Sequence, residues 1–357
     1  MKIGILTFHA AKNYGAVLQC RCLYEVLKSL GHDVSVIDYR PDYLTEPYRL
    51  WKSSFLKHPG SLIKASVKMA GAIRRDKAFD AFEKELDLSS PDDSSFDAIF
   101  YGSDQIWNDG YASFSENYLL AFAPPGAMKV AYAPSIGTDP ERSDRLREEP
   151  YRHWLPEFDH LSVRETGQRA FVESMSGKVC EVVVDPTLLL DRTDYEALLP
   201  EREKEGGYLL LFWLDHDNKL MQGIDFANSV ALAQGLNIVH CFQKVPDSLM
   251  VNCAGSIYYG GVEDFLRYVR NADLVVTNSY HATIFSMIFR KPFYTFTVDS
   301  MRSRIDTLKE LYGIGDRCVD GFLSPDSVSL DVDYGTIWRN IEARREESFC
   351  YLRGIFR

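Results

Sequence analysis

The sequence predicts an α/β protein of two doubly wound domains, with a ligand cleft between them at the carboxyl ends of the strands. Three observations predict it. The chain has 357 residues, too many for one ordinary core, so two domains are expected. Its start reads strand, amphipathic helix, strand; so short a crossover implies parallel neighbours with helices packed on the sheet. The same alternation then resumes beyond a hydrophilic stretch at 191–207 that holds Pro200 and two glycines, and the domain boundary is placed there.

In order, 3–8 is a continuous apolar strand. Ala16, Cys20, Leu23, Leu27 and Leu30 recur at helical spacing, Gly31 sits where a C-terminal cap belongs, and 34–39 is the next strand. Residues 41–95 break the rhythm: 49–77 carries eight Lys or Arg against the single acid Asp76. That excursion reads either as a solvated helix or as a surface meeting anionic lipid or an anionic acceptor. Strands return at 97–101, 129–133, 160–163 and 181–184, each ending in polar residues. In the second half, 208–214, 237–242, 255–258, 273–277 and 292–298 read as strands. Helices are expected at 220–232, 262–269, 283–289 and 302–312, and a closing helix from 334. The expected domains are 1–195 with its excursion, 205–335, and a closing segment at 336–357. In such folds ligands bind at the strand C-terminal ends.

Composition narrows the function. The chain is 46% hydrophobic, 25% charged, and has a net charge of −11, which disfavours tracking a nucleic-acid backbone. The opening apolar run is too short for a signal-peptide core, and no stretch approaches the roughly 18 apolar residues of a membrane span. A cytoplasmic protein is expected, with peripheral contact at the inner membrane face an option through 49–77. Seven scattered cysteines without a CxxC pair indicate neither a disulfide framework nor a zinc site; all seven are expected to be buried structural thiols.

The strongest candidate site is 273–289. A buried strand runs into Asn278-Ser279-Tyr280-His281 and a helix follows at once. Free N–H groups and the helix dipole there favour an anion. Asn278, Ser279 and Thr283 add neutral donors, and His281 can exchange a proton near neutral pH. Plain capping of the helix by Asn278 or Ser279 is the alternative. Arg164 closes another strand and could grip a carboxylate or phosphate, or pair with Glu165 or Asp159. The first loop holds Asn13, Tyr14 and Gly15; it lacks both the dinucleotide and P-loop fingerprints, and reads as a ligand loop or a simple connection. Ser103 and Asp104 end the strand at 97–101, with Asp104 a base, an orienting partner or a cap. Arg302 and Arg304, at a helix start, either add positive charge to the site or are solvated.

Six motifs in order carry a resemblance. They are Lys-Asn-Tyr-Gly-Ala-Val-Leu-Gln at 12–19, Tyr-Gly-Ser-Asp-Gln-Ile-Trp-Asn at 101–108 and Ala-Tyr-Ala-Pro-Ser-Ile-Gly at 131–137. The others are Ser-Val-Arg-Glu at 162–165, Val-Asp-Pro-Thr-Leu-Leu-Leu at 184–190 and Thr-Asn-Ser-Tyr-His-Ala at 277–282. Together they resemble the polysaccharide pyruvyl transferase family over nearly the whole chain. The resemblance implies a GT-B-like fold of two Rossmann-like domains with the active site in the interdomain cleft. It implies phosphoenolpyruvate as donor substrate and a sugar or lipid-linked oligosaccharide as acceptor; no other cofactor is expected, and no metal, because the sequence shows no ligand cluster. Carried over by position, Arg164 matches an arginine holding the donor's anionic groups, His281 a catalytic or phosphate-contacting histidine, and Asn13 a polar first-loop residue. Tyr280 and Ala282 stand where many members have Phe and Gly, and Asn13 and Ala16 where some branches have an acid.

The implied reaction makes a ketal. His281 is expected as acid/base or phosphate-activating group, Arg164 as anion grip, the helix start at Ala282–Thr283 as phosphate site, and Asp104 or Asn13 as the residue positioning the acceptor hydroxyl. A nucleotide-sugar glycosyltransferase on the same architecture, or a non-catalytic binding protein of a polysaccharide locus, are the rival readings.

Overall fold

The computed structural model describes residues 1–45, 62–108, 116–120, 122–140, 148–200, 207–214, 218–242 and 249–357. The basic segment 49–61, and with it much of the expected anionic-surface contact, lies outside the described residues.

The first sheet is built from β1 (Lys2–Leu6), β2 (Asp33–Ile37), β3 (Leu88–Ser89), β4 (Ala98–Tyr101) and β5 (Met128–Ala131), all parallel, in the order β3-β2-β1-β4-β5. A two-stranded parallel pair, β6 (Leu161–Val163) and β7 (Cys180–Val182), continues it through one bridge between Val130 and His160. The second sheet holds β8 (Tyr208–Phe212), β9 (Asn237–Cys241), β10 (Cys253–Ser256), β11 (Leu274–Thr277), β12 (Phe293–Phe296) and β13 (Cys318–Val319). Its order is β10-β9-β8-β11-β12-β13, again parallel throughout. Every residue of β4, β8 and β11 is buried, as expected of sheets covered by helices on both faces. The strand order reverses between β1 and β4 in one sheet and between β8 and β11 in the other, and those two switch points are where ligands bind in open parallel sheets.

The edge strands β3 and β13 have two residues each, too few to show a period, and neither is predicted from sequence. The helix after β11 runs Tyr280–Ile288, starting three residues earlier than expected, because Ser279 caps it by accepting from Ala282 N. His281 therefore lies in the first turn of the helix rather than before it. The thiol expectation needs correction at the far end: Cys20, Cys22, Cys180 and Cys241 are buried, Cys253 and Cys318 are partly so, and Cys350 is exposed. It lies on the outer side of the last helix, beside Glu346 and Arg353.

Apolar packing joins the halves without a break. Tyr14 stacks on Phe265 with ring centroids 4.9 Å apart, Tyr195 meets Phe285 edge-on at 5.0 Å, and one core cluster runs through both sheets. The helix Leu62–Glu83 crosses the joint. Arg75 lies over the rings of Tyr14, Phe79 and Tyr258 and donates to Lys12 O, so this member of the basic stretch serves the joint. The closing helix Tyr334–Ile355 returns to the first half. Val184 N donates to Ser348 Oγ at 2.9 Å, Arg345 donates to Leu188 O and Leu190 O, and Tyr351 donates to Ala131 O.

Candidate active site

The loops after β1, β4 and β11 meet at the two switch points and enclose a cavity of about 520 Å³. Asn13 and Ala16 at the start of the first helix, Asp104, Gln105 and Asn108 after β4, Tyr43, and Ser279 to His281 after β11 line it, together with Arg304.

His281 is held on two sides. Its Nε2 is buried and lies 3.4 Å from Asp185 Oδ2. Its Nδ1 edge faces Gly15: a Cβ built there would fall 1.9 Å from Nδ1, 2.4 Å from Cγ and 2.6 Å from Cε1. The glycine of the first loop is thus the space that the histidine ring of the second half occupies. Nε2 is thus the ring nitrogen enclosed with Asp185, and Nδ1 the one on the Gly15 side.

Behind the ring is a buried charge cluster. Asp185 Oδ1 accepts from Thr187 N and Oγ1 at 3.0 and 2.7 Å, and Oδ2 accepts from Arg164 Nη1 at 2.8 Å. Arg164 Nε donates to Glu165 Oε1 at 2.9 Å, and the Tyr280 ring covers the guanidinium at 4.3 Å. Burial would push the Asp185 carboxyl up, but the His281 ring, the Arg164 guanidinium and the Thr187 hydroxyl outweigh it and hold the group well below the usual carboxylate range.

The positions singled out from sequence divide into three groups. Asn13, Asp104, Asn278, Ser279 and His281 line the cavity. Asn13 caps the first helix through Gly15 N and Ala16 N. Asp104 adopts a left-handed φ of 66° and accepts from Gln105 N. Asn278 pairs in both directions with the backbone of Leu214, pinning the end of the β8 loop. Gly15 acts by giving His281 room. The remaining positions are turned away, and their expected contacts with substrate are corrected. Arg164 is 2% exposed and spends its contacts on Glu165, Asp185 and Tyr280. Tyr14 points into the interdomain joint and donates to Gly260 O at 3.0 Å. Ser103 is buried and donates to Ala133 O. Thr283 is buried one turn into its helix, donating to Ser279 O and meeting Thr295. Arg302 pairs with Asp299 and Asp320 at the surface, while Arg304, two residues on, reaches the cavity and donates to Ser300 O.

Sequence reasoning missed Asp185 and Tyr43. Asp185 sits in the Val-Asp-Pro-Thr motif as a strand-end acid; a strand-end carboxylate before proline was the available signal. Tyr43 carried none.

The chemistry at hand is that of an anion site with a proton carrier. The first turns of two helices, Tyr14–Ser29 and Tyr280–Ile288, converge on the cavity with their positive dipole ends. Arg304 adds a full charge, His281 can move a proton, and Asp104 on the opposite half offers a carboxylate.

Two doubly wound parallel sheets facing each other across a cleft at their switch points define a GT-B-like protein. Solved structures agree. Arabidopsis thaliana UGT89C1 complexed with UDP-L-rhamnose is similar over 99% of this chain and 97% of its own, at 13% identity and a TM-score of 0.55. A UDP-N-acetylglucosamine 2-epimerase from Rickettsia bellii is similar over 99% and 96%, at 10% identity and a TM-score of 0.50. At such identities the likeness is one of fold. No curated protein matches the chain. The model of the polysaccharide pyruvyl transferase family matches residues 13–300, and the chain belongs to that family of transferases that modify polysaccharides.

Proposed function

We propose that the protein transfers pyruvate from phosphoenolpyruvate to two hydroxyls of a sugar in a polysaccharide or its lipid-linked precursor, forming a ketal. The observation that carries this reading is the placing of His281, wedged between Gly15 and Asp185, on a cavity whose other features attract anions. Phosphoenolpyruvate brings a carboxylate and a phosphate, and C3 must take a proton for C2 to accept an oxygen.

In this mechanism a sugar hydroxyl adds to C2 while C3 takes a proton and becomes a methyl group. The C2–O bond to phosphate then breaks, the second hydroxyl closes the ring, and its proton leaves with the phosphate. The proton given to C3 is matched by the one lost from the first hydroxyl. His281 is the acid/base group. Arg304 and the helix starts at Asn13 and Ser279 neutralise the charge that accumulates on the leaving phosphate. Asp104, on the first half, positions or deprotonates the acceptor hydroxyl. Arg164 acts from behind, through Asp185.

The test is direct. Purified protein is incubated with phosphoenolpyruvate and a panel of glycosides bearing neighbouring free hydroxyls, and inorganic phosphate is measured beside the mass of the glycoside. The expected result is equimolar phosphate and pyruvylated sugar, lost in His281→Ala. Release of nucleoside diphosphate from a UDP-sugar, with no response to phosphoenolpyruvate, would overturn the proposal.

A further inference from the structure

We infer that Asp185 is a positioning residue that fixes the tautomer of His281, so that Nε2 keeps its proton and Nδ1 is the nitrogen that exchanges one with substrate. The inference rests on the reading of His281 as the acid/base group, and names the atom through which it works.

The reasoning begins with the carboxylate. Both donors of Thr187 go to Oδ1, and Arg164 Nη1 goes to Oδ2. All four partners of Asp185 that the described residues supply, His281 included, thus face a group that can only accept when ionised. Asp185 is held ionised by the Arg164 guanidinium on Oδ2 and by the two Thr187 donors on Oδ1. An ionised carboxylate oxygen 3.4 Å from a ring nitrogen favours N–H on that nitrogen over a lone pair, because two lone pairs facing each other in a buried site repel. The side chain of Asp185 has no freedom to turn away, being held by Thr187 on one oxygen and Arg164 on the other. Arg164 is in turn held by Glu165 at its Nε edge and by Tyr280 on its face. The buried chain Glu165–Arg164–Asp185–His281 therefore transmits position, and only its last member reaches the cavity. This gives a role to the arginine that lies out of reach of any ligand in the cavity.

Asparagine at 185 would be expected to reverse the tautomer. The two Thr187 donors require the amide oxygen on their side, which turns the NH₂ toward His281 and also toward Arg164 Nη1, whose hydrogen bond to this position is lost. A donor facing Nε2 demands a lone pair there and moves the ring proton to Nδ1, the wrong atom for a base.

The experiment is long-range ¹H–¹⁵N correlation on histidine-labelled, full-length protein at a pH where the ring is neutral, with the His281 signals identified by their loss in His281→Gln. The expected wild-type pattern is a protonated Nε2 and a bare Nδ1. In Asp185→Asn the pattern inverts, and turnover of phosphoenolpyruvate falls by about 100-fold in kcat, the scale of general acid–base catalysis, with KM little changed. A wild-type spectrum with the proton on Nδ1 overturns the inference, whatever the fate of Asp185→Asn. An Asp185→Asn protein with wild-type tautomer and kcat overturns it as well. Failure to turn over phosphoenolpyruvate would sink the proposed function and leave the tautomer result readable.

Discussion

Gly15→Ala is the sharpest perturbation of the site, since it adds one methyl group and no charge. The built Cβ lies 1.9 Å from His281 Nδ1 and within 2.6 Å of Cε1. An ordinary contact is nearer 3.4 Å, so the ring must retreat by about 1.5 Å or the first helix must shift by as much. Neither move is free. The ring is backed by Asp185, and the helix is capped by Asn13 and anchored by Tyr14 in the interdomain joint. Overpacking of this kind costs about 1–3 kcal/mol. Against it stands the gain of alanine over glycine in a helix, about 0.5–1 kcal/mol. The expected net change in stability is therefore small, a fall of about 0–2.5 kcal/mol in unfolding free energy by those same terms.

The effect on chemistry is expected to be larger, because displacing a reacting group by about 1 Å can cost about 100-fold in rate. The assay is phosphate release from phosphoenolpyruvate alongside a thermal melt. Gly167→Ala is the control, as a Cβ at Gly167 meets nothing within 4 Å. A Gly15→Ala protein that melts near wild type and turns over at the wild-type rate would refute the packing of His281 on Gly15.

Other substitutions test the remaining parts. Arg304→Ala should weaken phosphoenolpyruvate by about 10–100-fold in calorimetry, the worth of a hydrogen bond to a charged group, and should lower the melt as well, because the side chain is buried and donates to Ser300 O. Arg164→Met should act on the fold instead, since removing one partner of a buried ion pair costs about 3–5 kcal/mol; denaturant unfolding reads it. Tyr14→Phe should lower stability by about 1 kcal/mol through loss of the bond to Gly260 O. For Asp185, the native carboxyl titrates below its unfolded value, near about 3.9. Its contribution is complete above that value and is lost as pH falls through the depressed native one. The gap in melting temperature between wild type and Asp185→Asn should narrow below about pH 4, and a constant gap would refute the linkage.

The architecture was legible because its signals are long and repeated. Buried parallel strands such as Tyr208–Phe212 and Leu274–Thr277 are unbroken apolar runs, and the polar residues that follow them fall at the switch points by topology alone. The site was legible only in part. His281 could be found as the lone titratable group of a strand-to-helix turn. The fate of Arg164 could not, because whether a strand-end arginine faces a cleft or a buried acid depends on Asp185, which comes from a different strand. Tyr14 and Gly15 were read together as a ligand loop, yet consecutive residues of a helix point in different directions. One faces Phe265 in the joint and the other faces His281.

That divergence explains why both halves are needed for one histidine. His281 belongs to the second half, while Gly15, Asp185 and Asp104 belong to the first. Any change in the angle between the halves would therefore alter Nδ1 and Nε2 together. The joint that sets this angle is built from the same first loop. Tyr14 bonds to Gly260 O, and Arg75 lies over the Tyr14 ring while donating to Lys12 O. The residue before the glycine locks the halves, and the glycine receives the histidine that the locking brings in. Arg75→Met follows as the separating perturbation. It leaves every cavity residue in place but removes a half-buried cation from three rings and one carbonyl. Each cation–π contact is worth about 0.5–2 kcal/mol, so the joint should loosen measurably in hydrogen exchange at 257–261. If catalysis depends on the angle, kcat should fall with the melt, whereas loss of stability at unchanged kcat would show that the His281 pocket holds its geometry without the joint.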